Sequence, residues 1–243
     1  MSGWHGQGRS HAGRRVRNED SFVCRDQDGL WAVIDGMGGH DAGALAADMI
    51  RDALCGVMLG GALGHRVLAV ERALQTVNYA IRHHAALHLA GRTMGATVAV
   101  LLIQGEEAAC LWAGDARLYR LHADHIDMLS RDHSPVQALV DAGELTEQQA
   151  MDHPRGHVIW RAVGAAESLE VAQCRFALEP AVRFLLTTDG VHGKLDRAAL
   201  LAISQRHQPG ALLREALARG SRDNVTALLV RRGHEPREGL ALR

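Results

Sequence analysis

Apolar positions along the chain follow two rhythms. Leu45, Met49 and Ala53 recur on one face of residues 42–59, and Val67, Val70, Leu74, Val77 and Ile81 recur at helical spacing within 65–90. Both patterns predict amphipathic helices that turn one stripe toward a core. Short apolar runs elsewhere predict strands. "SFVCRDQDGLWAVID" reads as two strands around a tight Asp28-Gly29 hairpin, a dipeptide suited to positive backbone angles. "TVAVLLIQGEEAACLWAGDARLYRLHADHIDML" reads as three strands with breaks near Gln104-Gly105 and Ala123-Asp124, and "RFLLTTDG" and "NVTALLV" supply two more. A further helical patch, "PVQALVDAGELTEQQA" from Pro135 to Ala150, precedes the turn-prone "DHPRGH". Helices before and after runs of antiparallel-looking strands predict an α+β sandwich rather than an alternating parallel sheet. Neither a fixed-period repeat nor a low-complexity linker interrupts the chain, so residues 1–243 are expected to form a single domain.

Composition narrows the function. The 243 residues are 47% hydrophobic, and 27 basic and 28 acidic side chains are interspersed to a formal net charge of -1. No basic stripe is present to neutralise a phosphate backbone, which argues against nucleic acid as a partner. The longest apolar runs, such as "ATVAVLLI", fall far short of the ~20 residues that cross a membrane. The N-terminal stretch lacks the apolar centre of a signal peptide, so a cytoplasmic protein without membrane attachment is expected. Cys24, Cys55, Cys110 and Cys174 are scattered among apolar neighbours without a CxxC pair and read as reduced, buried thiols. His83, His84 and His88 share a helix face, but without a third ligand type nearby they read as solvated surface and not as a zinc site.

The acids carry the chemistry. Asp35 follows "WAVI", Asp115 follows "CLWAG", Asp189 follows "FLLTT" and Asp223 precedes "NVTALLV", each at the border of an apolar run, while Glu19 and Asp20 precede the first predicted strand. One aspartate at a strand end is an ordinary turn residue; this many suggest a shared site. Several carboxylates are too costly to bury together unless cations neutralise them, and an all-oxygen set favours hard ions such as Mg²⁺ or Mn²⁺ over zinc. Gly36, Gly38 and Gly39 allow close backbone approach, and the Gly36 carbonyl is itself a candidate ligand. A pair of ions can activate a bridging water for attack on phosphorus. Spacing leads to a metal-assisted hydrolase and does not select its substrate.

At these residues the chain resembles the metal-dependent serine/threonine phosphatases of the PPM (PP2C) family in their bacterial form. "RRVRNEDS", "VIDGMGGHDAG", "TMGATV", "AGDARLYRL", "LSRDHSPVQALVDAGELTEQQAMDHPRGHVIWRAVG", "LLTTDGVHG" and "SRDNVTALLV" arrive in the family's order across residues 14–230. The resemblance implies a four-layer α-β-β-α sandwich, two antiparallel sheets flanked by helices. It implies two Mn²⁺ or Mg²⁺ ions bridged by Asp35, with Asp189 and Asp223 completing the first. The Gly36 carbonyl would bind the second, with Asp20 and Glu19 as direct or water-mediated ligands. Asp115 and Asp189 match the pair that holds a third, weaker ion in bacterial members. Arg15 matches the phosphate-holding arginine, with Arg14 and Arg17 as rivals by position. The implied reaction is direct hydrolysis of phosphoserine or phosphothreonine by a metal-bridging hydroxide, without a phosphoenzyme, opposing a serine/threonine kinase in phosphoprotein signalling. Small single-domain members of this size are compatible with control of type VI secretion, and a monomer is expected.

Three positions depart from the family pattern. Met37 stands where eukaryotic members usually carry a histidine thought to protonate the leaving group, and His40 is the candidate replacement. "GTT" reads "GAT" with Ala96, and "GDSR" reads "GDAR" with Ala116; neither touches an implied ligand, so activity should survive. Residues 131–165 correspond to the family's variable flap, where Arg155 and His157 are candidate substrate contacts. Arg117 reads as a structural ion-pair residue. Two alternatives remain from sequence: a catalytically weak relative that binds phosphoproteins without turnover, and a two-metal phosphoesterase for small substrates.

Overall fold

Along one central strand the side chains alternate between two buried faces, and that alternation sets the layers. The computed structural model describes residues 3–39, 41–90, 92–151, 153–206 and 208–233. In strand β4 (Gly95–Gln104), Val98, Val100 and Leu102 point into a core shared with two helices, whereas Ala99, Leu101 and Ile103 point into a second core. A strand buried on both sides reads as a continuous apolar run because neither face meets water.

Among the described residues the strands form two five-stranded sheets whose pairings are all antiparallel. One has the order β2 (Asp20–Arg25), β3 (Leu30–Met37), β4, β5 (Glu107–Ala113) and β8 (Ala172–Ala177). The other has the order β1 (Trp4–His11), β10 (Val225–Arg232), β9 (Arg183–Thr187), β6 (Arg117–Leu121) and β7 (Ile126–Met128). Trp31, Leu101, Phe184, Leu186 and Leu228 fill the space between them. Helices α1 (Ala42–Gly56) and α2 (Leu63–His88) cover the first sheet through Ile50, Leu54, Leu74 and Ile81. The short α5 (Asp189–His192), with α6 (Arg197–Ser204) and α7 (Pro209–Ala218), covers the second through Val191, Leu200, Leu212 and Ala216. The result is the four-layer sandwich, helices outside and sheets inside. Helices α3 (Pro135–Asp141) and α4 (Glu147–Met151) lie in the long connection between β7 and β8. Among the described residues no helix is long and apolar enough to cross a membrane.

Several sequence expectations need correction. The long apolar run holds four strands, not three, because the chain breaks again at Gly114-Asp115-Ala116 and passes from one sheet to the other. Asp115 and Ala116 stay buried through the crossing, so hydrophobicity does not dip there. The Asp28-Gly29 hairpin is wider than two residues: Asp26–Asp28 form a 3-10 turn, closed by Gly29 at φ 64°. The helical patch from Pro135 splits in two. Strands β1 and β8 and helices α6 and α7 carried no sequence prediction. In β1 the inward positions include Gly6 and Gly8, where any side chain would collide with the rings of Trp31 and Phe22, so its apolar face is supplied by its neighbours. The thiols also differ from expectation: Cys110 is buried and Cys174 half-buried, but Cys24 and Cys55 are exposed.

Trp31 anchors the inter-sheet layer at 0% exposure and donates its indole N–H to Asp26 Oδ1 at 2.8 Å. Trp31→Ala is expected to lower unfolding free energy by about 3–5 kcal/mol, the usual cost of emptying a large aromatic site, as measured by urea denaturation.

Candidate active site

Antiparallel pairing brings the sequence-predicted acids to one end of the sandwich. Strand β2 begins at Asp20, which lies directly across from Asp35 near the end of β3. Strand β9 ends at Thr187 and runs through Thr188 into Asp189, while β10 starts just after Asp223 and Asn224. The sheet crossing delivers Asp115 to the same end, since Arg117, two residues on, pairs with Thr187. Gly36 fits because its bare Cα packs against the backbone of Gly43 and Glu19; a side chain there would collide with both. The glycine therefore serves close chain packing.

The electrostatics of this end are unfavourable for protein atoms alone. Burial pushes Asp20 up to about 7, against the opposing effect of hydrogen bonds from Thr226 and Thr188. Burial first, then the charges of Asp20, Asp189, Asp115 and Asp223, hold Asp35 well above the carboxylate range. Asp189 is raised by burial and by Asp223, and Asp115 is raised far by burial and by Asp189. Glu19 is raised by burial and lies against Gly43 at the start of α1. Neighbouring charges of one sign in a desolvated site favour protons or metal cations.

Asp20 carries the clearest sign of a missing partner. Its Oδ2 accepts from Thr188 Oγ1 at 2.8 Å and Thr226 Oγ1 at 2.7 Å, while its buried Oδ1 has no hydrogen-bond partner among the described residues. A relay runs behind it. Asn18 Nδ2 donates to Ser10 Oγ at 2.7 Å, Ser10 lies 2.7 Å from Thr226 Oγ1, and Thr226 N donates to Thr188 Oγ1 at 3.1 Å. With Thr226 donating its only hydroxyl proton to Asp20, Ser10 must be the donor to Thr226. These hydroxyls fix one carboxylate oxygen and leave the other buried without a protein donor, a free oxygen of the kind hard cations take as ligand. The acids do not close into a tight cage: among the described residues no three of them bring oxygens within 4.8 Å of one another.

Arg15 reaches the site, but its fork is engaged with Asp223, Nε to Oδ1 at 3.0 Å and NH2 to Oδ2 at 2.7 Å. Its rival Arg17 is paired with Asp41, and both act on Glu19 through their charges. Asn224 holds the Arg15 loop in place. It accepts from Glu19 N at 2.8 Å and donates to the carbonyls of Ala12 and Arg17, both at 2.9 Å. Sequence reading missed Asn224, Thr188 and Thr226 as site residues; only the adjacency of Thr188 and Asn224 to predicted acids hinted at them.

Beside the acids lies a groove of ≈ 650 Å³, bounded by the 131–165 segment on one side and α5 and α6 on the other. Asp115, Asp189 and Asp223 line it with His157, whereas Arg155 is exposed outside its lining. Arg117 forks onto Asp132 at 2.9 and 2.6 Å, the structural ion pair expected of it. Ala96 exchanges two backbone hydrogen bonds of 2.9 Å with Val163, tying this segment to β4 without a side-chain hydroxyl. Met37 sits opposite Gly95 and offers no titratable proton. His40 lies outside the described residues.

A two-sheet sandwich with several buried, mutually repelling acids at one end suits a cation-dependent hydrolase. Residues 7–228 match the family described as Protein phosphatase 2C, and the chain belongs to that family of PPM-type phosphatases. It is 30% identical over 241 residues to the serine/threonine phosphatase stp of Listeria innocua, covering 94% of this chain and 96% of the relative. Among solved structures it superposes with a TM-score of 0.86 and 37% identity on PppA, described as a key regulatory component of T6SS in Pseudomonas aeruginosa, covering 94% of this chain and 97% of that one. The catalytic domain of the serine/threonine phosphatase PstP, solved in complex with 2 manganese ions, gives a TM-score of 0.81 at 28% identity, covering 94% of this chain and 97% of that one.

Asn224→Ala removes three hydrogen bonds that seat the Arg15 loop and leaves the Glu19 N–H without its side-chain acceptor. It is expected to destabilise the fold by about 1–3 kcal/mol, read from the midpoint of thermal unfolding at constant buffer.

Proposed function

We propose that this protein removes phosphate from phosphoserine and phosphothreonine in proteins, using two Mn²⁺ or Mg²⁺ ions, and so opposes a serine/threonine kinase. The observation that carries the reading is the buried, partnerless Asp20 Oδ1 within a group of acids whose burial and mutual repulsion call for cations. Asp35, Asp189 and Asp223 would hold one ion. Asp35 and the Gly36 carbonyl, with Asp20 and Glu19 directly or through water, would hold the other. Asp115 and Asp189 would form a weaker third position. When bound, such ions supply Lewis acidity that activates water for in-line attack on phosphorus.

The chain's own residues orient and discriminate. Thr188 and Thr226 fix Asp20 so that one oxygen is committed and the other free. The Arg15–Asp223 pair is exposed, and such pairs contribute only about 0–1 kcal/mol. Asp223 would serve a bound cation and Arg15 would then fork onto phosphate oxygens, each exchanging its present partner for a more strongly charged one. With methionine at position 37, protonation of the leaving alkoxide falls to solvent or to another side chain. The family match supports a phosphatase, and the names of the relatives support protein serine and threonine substrates. The likeness to PppA supports control of type VI secretion as the setting. Residues 131–165 act as a flap on a single catalytic domain, with His157 at its groove face. A monomer working in the cytoplasm fits this reading.

The decisive experiment titrates Mn²⁺ into metal-stripped protein and follows phosphate release from a phosphothreonine peptide. Release should depend on the metal, and Asp189→Asn should lower the rate by about 10²-fold or more. Binding of metal and peptide without release would replace the enzyme by a phosphoprotein-binding relative, and faster hydrolysis of a nucleotide than of the peptide would move the substrate class to small phosphoesters.

His157→Ala should alter kcat/KM on a phosphoprotein while sparing p-nitrophenyl phosphate. Unchanged kinetics on both would remove the flap histidine from substrate recognition.

A further inference from the structure

The β5–β8 pair holds two thiols in register. Cys110 of β5 and Cys174 of the edge strand β8 lie directly opposite one another in the antiparallel ladder, so both side chains leave the same face of the sheet. That face is the inter-sheet layer, where Cys110 belongs to the core and Cys174 packs against it. Opposed residues of an antiparallel pair stand about 4.5–5.5 Å apart at Cα, inside the range of about 4.4–6.8 Å that a disulfide spans. No change of strand register is needed for the sulfurs to join. We propose that Cys110 and Cys174 form a reversible dithiol–disulfide pair oxidised by hydrogen peroxide, in which Cys174 reacts first and Cys110 resolves.

The two thiols are unequal in the way such a pair needs. Cys110 is fully buried, whereas Cys174, on the edge strand, is half-buried and is the one a small oxidant can reach. A hydrogen bond from Cys110 outweighs burial and, with the charge of Arg120, brings the Cys174 thiol down to about 7. A thiol of that acidity is largely ready as thiolate near neutral pH, where its attack is fastest. Burial holds Cys110 well above the usual thiol range, so it keeps its proton and donates. Cys24 is exposed, yet desolvation of its thiol and the charge of Asp26 push it up to about 12, so it does not compete.

The chemistry balances. The Cys174 thiolate attacks one peroxide oxygen, the O–O bond breaks and hydroxide leaves, which gives a sulfenic acid. Capping removes the thiolate charge beside Cys110. The Cys110 sulfur then attacks the sulfenic sulfur and passes its proton to the departing hydroxyl, which leaves as water. Two thiols and one peroxide become one disulfide and two waters. The Cys174 thiol donates to the Leu129 carbonyl at 3.7 Å, close to where the 131–165 segment begins. The bridge removes that donor and ties the edge strand to β5.

The test begins with a Cys24→Ser/Cys55→Ser variant of the full chain, which keeps only the proposed pair. Treated with hydrogen peroxide under native conditions, it should become two hydrogens lighter by intact mass, lose both alkylatable thiols and recover them with dithiothreitol. Adding Cys110→Ala should leave Cys174 as a sulfenic acid that dimedone traps, while adding Cys174→Ala should leave Cys110 unreactive until the chain is unfolded. A cooperative thermal transition shows that the variants are folded. Peptide mapping of the peroxide-treated wild type should find the same Cys110–Cys174 cross-link in the natural chain. Retention of both thiols, oxidation of Cys174 to a sulfinic acid without a cross-link, or a cross-link that forms only in denaturant overturns the proposal.

Discussion

Mutual repulsion among desolvated carboxylates at one end of the sandwich is the constraint on which the rest of this structure depends. Asp20, Asp35, Asp115 and Asp189 are each raised first by burial, and neighbouring acids, Asp223 among them, raise them further. Such a group is tolerated only where a rigid frame holds it and cations or protons relieve it. The frame is the pair of sheets. Strand pairing fixes Asp20 against Asp35, and the inter-sheet layer around Trp31, Leu101 and Phe184 keeps Asp189 and Asp223 facing them. The hydrophobic effect assembles the sandwich, and the assembled sandwich confines the charge.

Polar groups then divide the work around that charge. Hydroxyls of Thr188 and Thr226 satisfy one oxygen of Asp20, and the relay through Ser10 and Asn18 orients the donors. Asn224 fastens the loop that presents Arg15, and Arg15 rests on Asp223. These contacts place the one arginine at the site directly on one of its acids. The sheet crossing at Gly114 serves the same end, because the glycine's positive φ of 106° turns the chain where Asp115 must enter the site.

Much of this was legible in the chain itself. The periodic stripes of α1 and α2, the apolar runs of β3, β4, β9 and β10, and the acids at their borders are local patterns, and local patterns survive translation into structure. The ordered motifs identified the family and, with it, the four-layer arrangement. Other elements were illegible for definite reasons. Strand β1 hides its inward face in glycines that make room for Trp31 and Phe22. The crossing between β5 and β6 carries no polar interruption, because Asp115 is itself buried. The exposure of Cys24 and Cys55 depends on which face of a strand or helix meets solvent.

The sequence by itself determined which residue types stand at the strand ends, which glycines permit close backbone approach, and, through the order of its motifs, the family to which the chain belongs. Tertiary structure alone decided which of those residues meet. Thr226 and Asp20 are 206 positions apart, and Glu19 and Asn224 are 205 apart. Hydrophobic periodicity acts over a few residues and cannot specify partners at such separations; strand register can, because one fixed pairing places every later rung of the ladder. The engagement of Arg15 with Asp223 and the partnerless oxygen of Asp20 are consequences of that long-range pairing.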